Sequence, residues 1–474
     1  MSVIDVAIIG AGISGINAAY RVQSTHPNAS YTIFEGRDQI GGTWSLFKYP
    51  GLRSDSDLFS FGFEWNPWES DEVIAQADSI LAYLKSSLAS FGGDKHLKTN
   101  HKLVSLDWST SDQLWTLEFE HTKVRAKWVV LGTGYYDYDE ALKAEIPGLD
   151  KFKGKIVHPQ FWPEDLDLNG KKVAIIGSGA TAITILPSII DQVEKVTLVQ
   201  RSPSYIGTLP RKDSSAHFLK SVLPLRWATK LLRIKYLVLS FLFFEFCTRF
   251  PNAAKKAILK DTKKALPSSI PIDPHFQPSY NPWEQRFCLC PDGDFYAALN
   301  TGKGAVVTGH IGDMTENTIM IKDQPESTIE ADIIVTATGL KVRMGGGARL
   351  YVDGTEIPVA DKMVWRQCML QDVPNLVMMV GYTNASWTLG TDTAAKTLTR
   401  MMSRLEENGQ TSATAVAPAG LESSRFMKMT STYLLKASGQ MPNAGNAYPW
   451  LPRRNYFIDF WQASTGSLSK DMVS

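Results

Sequence analysis

The chain has 474 residues, longer than one ordinary domain and enough for two or three. Apolar residues make up 44% and charged residues 20%, which supplies sizeable cores and excludes a disordered chain. The formal net charge of +1, with acids and bases mixed, gives no basic stripe of the kind that nucleic-acid binding requires. Four cysteines, Cys247, Cys288, Cys290 and Cys368, form neither a disulfide framework nor a zinc spacing. A reducing, cytoplasmic compartment and no metal are therefore expected. The first strand pattern starts within a few residues of Met1, which leaves no room for a signal peptide.

Val3 to Ile9 reads as a buried strand and is followed by Gly10-Ala-Gly12-Ile-Ser-Gly15. A helix should run from there to about His26-Pro27, and a second strand from Ser30 to Phe34, closing on Glu35. This strand–turn–helix–strand context gives a GxGxxG motif its meaning. Lys102 to Trp108 and Leu114 to Glu120 read as an antiparallel pair, and Trp128 to Leu131 as a buried strand ending in Gly132-Thr-Gly134. A second unit starts at Lys171. Val173 to Ile176 is its strand, Gly177-Ser-Gly179-Ala-Thr-Ala182 its turn, Thr181 to Ile190 its helix and Val196 to Val199 its next strand.

From Arg211 to Asn281 the pattern is helical, with a proline-rich end. Strands return at Ala305 to Thr308, Thr318 to Ile321 and Asp332 to Thr336. The expected fold is α/β, with two Rossmann-like dinucleotide-binding domains and an inserted helical subdomain. The first domain would comprise residues 1–140 and 337–474, the second 141–210 and 284–336, and the insert 211–283.

Inside the insert, Tyr236 to Cys247 is strongly apolar. It is shorter than the roughly 20 residues of a spanning helix and is interrupted by Glu245. Arg226, Lys230, Arg233 and Lys235 lie just upstream, as in some interfacial helices. The favoured reading is a buried helix, with membrane contact or a greasy substrate entrance as the alternatives.

At the first glycine cluster, Gly10 permits a tight turn, Gly12 lets backbone approach a pyrophosphate and Gly15 lets the helix pack close to the strand. The helix N-terminus offers free N–H groups and partial positive charge to phosphates. Glu35, twenty residues after Gly15, is placed to accept from ribose hydroxyls. At the second cluster the corresponding strand ends in Gln200-Arg201-Ser202 instead of an acid. Arg201 can pair with a 2′-phosphate that an acid would repel, which favours NADPH over NADH. Two such clusters point to two redox cofactors brought face to face, as in a flavoprotein reduced by a nicotinamide. Gly42-Thr43-Trp44, and the segment from Lys48 through Asp55 to Asp57, supply turn glycines, an aromatic plane and a carboxylate suited to an isoalloxazine ring.

Phe152-Lys-Gly154-Lys-Ile-Val-His158-Pro-Gln-Phe-Trp162-Pro163 matches the FxGxxxHxxxW(P/D) fingerprint, and on it the chain resembles the type I Baeyer–Villiger monooxygenases. The resemblance covers nearly the whole chain. Tyr49 to Ser56, Asn281 to Arg286 and Gly381 to Trp387 are most similar to the ethionamide-activating branch. It implies that FAD is reduced by NADPH and forms a C4a-peroxyflavin with dioxygen. One oxygen atom is then inserted beside a ketone carbonyl, giving an ester or lactone, and soft sulfur is also oxidised. By residue type, Arg286 and Asp55 are ordinary surface charges. The resemblance makes Arg286 the catalytic arginine and Asp55 the acid that orients it beside the flavin. It also makes His158 an organiser of the interdomain linker instead of a base. Pro159 stands where the wider family has threonine.

The implied partners are a small hydrophobic ketone or sulfide and dioxygen, with the chain a monomer or weak homo-oligomer. A flavin-containing monooxygenase making N- or S-oxides is the alternative. A disulfide reductase is disfavoured, because the one close cysteine pair, Cys288-Leu-Cys290, is not a Cys-x-x-Cys.

Overall fold

The computed structural model describes residues 3–285, 287–322 and 324–474. Strand β1 (Val3–Ile9) is buried over its last four residues, as expected of a strand covered on both faces. The glycine turn leads into α1 (Ile13–Thr25), and β2 (Tyr31–Phe34) lies parallel to β1. Two single-turn helices, α2 (Thr43–Leu46) and α3 (Leu58–Phe61), punctuate the next loop before α4 (Ala77–Ser90). β3 (Leu97–Lys98) then joins the far side of β2.

β4 (Leu103–Ser109), β5 (Leu114–Phe119) and β6 (Lys123–Leu131) form an antiparallel meander whose last strand also lies parallel to β1. β6 is longer than its apolar run because its first half pairs with β5. There one face is wet, and charged residues are tolerated.

The second unit is a parallel sheet. Its strands are β7 (Lys155–Val157), β8 (Lys172–Ile176) and, after α5 (Ala180–Ile189), β9 (Lys195–Gln200). β10 (Ile206–Leu209) leads to three consecutive helices, α6 (Ser214–Val222), α7 (Leu225–Arg249) and α8 (Pro251–Ala265). The chain returns through β11 (Cys288–Pro291), parallel to β10, then α9 (Asp294–Asn300) and β12 (Gly304–Thr308). A small antiparallel meander follows, β13 (Ile311–Met314), β14 (Thr318–Ile321) and β15 (Gln324–Glu330), and β16 (Ile333–Thr336) completes the sheet in the order β12-β9-β8-β16-β7.

The last part folds back onto the first sheet. β17 (Arg349–Val352) pairs with β4 and with β18 (Thr355–Glu356). β19 (Val364–Trp365) and β20 (Met369–Leu370) lead to β21 (Leu376–Met378), which lies parallel to β6. Helices α10 (Trp387–Glu407), α11 (Thr432–Lys436) and α12 (Tyr456–Thr465) follow, and a short strand at Met472–Val473 pairs back with Thr414–Ala415.

α10 packs along α1 on one face of the first sheet, around Ile16, Leu398 and Met401. On the other face Trp108 and Trp115 meet edge to face, with ring centroids 5.6 Å apart. The result is two Rossmann-like α/β units with a helical insert.

The helix expected over Tyr236–Cys247 is part of α7, but it is not a buried helix. Only one flank is covered, including Leu232, Arg233 and Cys247, while Trp227, Leu231, Ile234, Val238 and Leu242 are exposed. The apolar run hid a helix that is apolar on its outer side as well, and composition alone cannot separate that from a core helix.

Candidate active site

Both glycine turns open into one cleft of about 1890 Å³. Drug-sized ligands fill roughly 300–1,000 Å³, so this space suits two large cofactors and a substrate. Gly10, Gly12, Glu35, Gly42, Thr43, Trp44, Asp55, Gly177, Gly179, Arg201 and Ser202 all line it. The residues fit two dinucleotides on local grounds. Gly10 and Gly177 turn the chain with φ of +100° and +138°. Each turn delivers a helix, α1 or α5, whose glycine N-cap makes no side-chain capping bond, so the first-turn N–H groups are available to an anion. A Cβ on Gly179 would meet nothing within 4 Å, and that open side is where a phosphate can approach.

Two of the sequence-predicted cofactor residues do not reach the cleft. Ala182 is fully buried in the core of the second unit. At Gly15 a Cβ would stand 1.8 Å from the Gly10 carbonyl oxygen. Both act by bringing helix onto strand. Glu35 lines the cleft and is also held by the chain itself. One carboxylate oxygen accepts from the Ala11 amide at 2.8 Å and the other from the Arg37 amide at 3.0 Å, so this acid pins the glycine turn itself.

The segment from Tyr49 to Asp57 joins the two units. Gly51, at φ +75°, lies so close to α5 that a Cβ would be 1.8 Å from the Ser188 hydroxyl oxygen. Burial raises the Tyr49 phenol to about 12, with Thr181 of α5 hydrogen-bonded to it and the nearby Asp55 charge adding to the rise. Arg53, buried, forms a two-armed ion pair with Asp294 at the start of α9, which leaves its charge committed. Asp57 caps α3, accepting from the Ser60 amide at 2.7 Å and hydroxyl at 2.6 Å. Arg233 of α7 closes the same helix from its other end, donating to the carbonyls of Phe59, Ser60 and Gly62 at 3.2, 3.3 and 2.6 Å. Arg286 lies outside the described residues, whereas Gln285 and Phe287 line the cleft.

On the side of the second glycine turn Arg201 reaches into the cleft and donates to the Thr432 hydroxyl of α11 at 3.2 Å. The Ser178 hydroxyl donates to the Ser202 carbonyl at 2.7 Å, tying the glycine turn to the end of β9. His158 stands apart from the cleft lining. Its Nδ1 accepts from the Gln160 amide at 3.1 Å. Its Nε2 is buried beside the Gly339 backbone without a well-formed hydrogen bond. Burial lowers its pKa, the Gly339 backbone opposing, so the ring is neutral near pH 7.

Asp137 lies at the crossing between the units and is almost wholly buried. It pairs with Lys341 at 3.0 Å and Arg343 at 3.4 Å and accepts from the Asp139 amide at 3.0 Å. Burial opposes its ionisation, but these partners prevail and its pKa is lowered.

Sequence reasoning missed Asp137, Arg37 and α11; for the Tyr236–Cys247 run it held a greasy substrate entrance only as an alternative, and there Tyr236, Ser240 and Phe243 line the cleft. Arg37 donates to the Gly42 carbonyl and the Ser45 hydroxyl at 3.3 and 3.0 Å. Its closeness to Glu35 was a usable local signal; α11 lies more than two hundred residues from Arg201 and offered none.

Residues 7–217 match the model of the pyridine nucleotide-disulphide oxidoreductase family. The FAD-containing monooxygenase EthA of Mycolicibacterium smegmatis is 41% identical over 461 residues, spanning 96% of this chain and 93% of its own. Among solved structures, an oxidized steroid monooxygenase bound to NADP aligns with a TM-score of 0.75 at 21% identity, covering 100% of this chain and 99% of that one. OTEMO in complex with FAD and NADP aligns with a TM-score of 0.73 at 20% identity, covering 87% of this chain and 86% of that one. At those identities the likeness to the two structures is one of fold.

Proposed function

We propose a reaction from a fixed premise: the chain belongs to the family of FAD-containing monooxygenases. It takes NADPH as reductant and dioxygen as oxidant and inserts one oxygen atom beside the carbonyl of a small hydrophobic ketone, giving an ester or lactone. It also oxidises sulfides. The observation that carries the reading is the single cleft onto which both glycine turns open, because hydride transfer between two cofactors requires that they meet in one space.

FAD is assigned to residues 1–140 and 337–474, and NADPH to 141–210 and 284–336, with 211–283 as the insert. When bound, the flavin supplies reduced, oxygen-activating chemistry that no side chain can provide. The chain's own residues bind, orient and stabilise. The N-termini of α1 and α5 hold pyrophosphates. Glu35, already fixed by two amides, has lone pairs left for a ribose hydroxyl. Arg201 faces the 2′-phosphate. Arg286 would supply a permanent positive charge beside the flavin, where negative charge develops on the activated oxygen, and Asp55 would orient it. The fingerprint from Phe152 to Pro163 and the intact Tyr49–Asp57 segment support these roles.

A product assay on the purified yellow protein with NADPH, oxygen and, separately, 2-octanone, phenylacetone and thioanisole tests the reading. Ester from either ketone is the expected result. Sulfoxide as the sole product would replace it with a flavin-containing monooxygenase of the N- and S-oxide type. NADPH consumption ending only in hydrogen peroxide would overturn the ketone assignment for these substrates.

A further inference from the structure

The outer side of α7 has no partner. Trp227, Leu231, Ile234, Val238 and Leu242 recur at spacings of four, three, four and four residues, which puts them on one stripe of the helix. Trp227 is 52% and Leu242 55% exposed. The stripe continues onto a second helix: Phe241 of α7 meets Phe457 of α12 edge to face at 5.4 Å, and Trp461 on α12 is 63% exposed. Contiguous exposed apolar surface across two helices marks an interaction site.

Charge identifies the occupant. Residues 211–265 carry thirteen Lys and Arg against three Asp and Glu, while the rest of the chain carries 36 against 45. The positive charge of a nearly neutral protein is thus gathered on the insert that bears the stripe. Arg226 and Lys230 stand 5.9 and 5.6 Å from the Trp227 ring, and neither makes an ion pair among the described residues. An apolar stripe edged by tryptophan and bare cations is suited to the boundary between acyl chains and anionic headgroups. No helix among the described residues is long and apolar enough to cross a membrane, so the contact is peripheral.

We propose that α7, with α12 beside it, docks this protein onto an anionic lipid surface. The helix lies in the interface with Trp227, Leu231, Ile234, Val238 and Leu242 in the acyl boundary and Arg226 and Lys230 at the headgroups. Its opposite flank, Tyr236, Ser240 and Phe243, lines the cleft, so one helix separates the lipid from the active site. The inference stands whether or not the substrate is a ketone.

Flotation of the FAD-loaded full-length protein with vesicles tests it. The wild type should float with phosphatidylglycerol-containing vesicles, stay behind with pure phosphatidylcholine, and be released by roughly 0.5 M salt as headgroup attraction is screened. Leu231→Asp with Val238→Asp should cut flotation at least tenfold while bound FAD and Tm are unchanged, since both positions are exposed. Arg226→Glu with Lys230→Glu, which leaves the stripe intact, should remove the preference for anionic vesicles. Failure of the wild type to float with either vesicle would overturn the proposal, as would wild-type flotation by both double variants. A wild-type dimer that the Asp double variant turns into a monomer, with no vesicle binding, would assign the stripe to a second copy of the chain instead.

Discussion

Gly15 and Ala182 take the same third place in their glycine turns, yet only the first has no room for a methyl group. A Cβ at position 15 would stand 1.8 Å from the Gly10 carbonyl oxygen, so Gly15→Ala must push α1 off β1. Overpacking of this kind costs about 1–3 kcal/mol or more, and thermal unfolding should show a lowered Tm with loss of bound FAD. Gly179 predicts the opposite pattern. Its open side means that Gly179→Ala should leave Tm unchanged and raise the KM for NADPH at least several-fold; an unchanged KM would remove the phosphate from that side.

Arg201→Ala deletes a charge-assisted contact worth about 1.5–3 kcal/mol, a rise of roughly ten- to a hundredfold in the KM for NADPH. The KM for NADH should move less than about twofold, and equal effects on both would dispose of the 2′-phosphate role. For Arg286→Ala the expectation is a yellow, FAD-loaded protein that consumes NADPH and releases hydrogen peroxide but makes no ester. Ester at the parent rate would refute its assignment.

At the scale of elements, the four-residue α3 is held at both ends by side chains far apart in sequence. Asp57 caps one end and Arg233 from α7 the other. So short a helix has little stability of its own, and these bonds place the cleft residues Asp57 and Phe61. Arg233→Met keeps the aliphatic stem and removes the guanidinium, leaving three buried carbonyls short of a donor. A cost of about 3 kcal/mol follows, seen as a Tm lower by several degrees. An unaltered Tm would show that α3 stands without α7. The Tyr49–Asp57 loop was recognisable in the sequence by its motif, but its partners were not. Asp294, Thr181 and Ser188 come from other elements and reach it only through the packing of α5 and α9.

For the whole molecule, the Asp137 cluster ties residues 137–140 to 341–343, where the chain passes between the two units. Its pKa is lowered from 3.8. A depressed carboxylate contributes stability that is present above its unfolded pKa and is lost as pH falls through the folded one. Asp213, held by Lys235, Ser215 and Tyr236 against the cost of burial, is shifted the same way. Asp57 and Asp459 are raised, chiefly by burial, and oppose the trend. Asp137→Asn should therefore lower Tm at pH 7, by an amount that shrinks as pH drops below about 4. A gap between variant and wild type that stays constant down to pH 3 would mean that the cluster's charge is irrelevant.

The strand–glycine–helix units were legible in the chain because their physics is local. A tight turn, a close helix–strand approach and a buried parallel strand each demand particular residues within a few positions. The cleft-lining places of Gly10, Gly12, Trp44, Gly179 and Arg201 follow from that local order. The place of α11 across the cleft from Arg201 did not, because Thr432 is brought there by packing between segments more than two hundred residues apart. The apolar run of α7 is the sharpest instance. Periodicity gives a helix and composition gives its greasiness, but which of its sides is covered depends on what the rest of the chain lays against it. The tertiary structure covers only the side that faces α3 and the cleft.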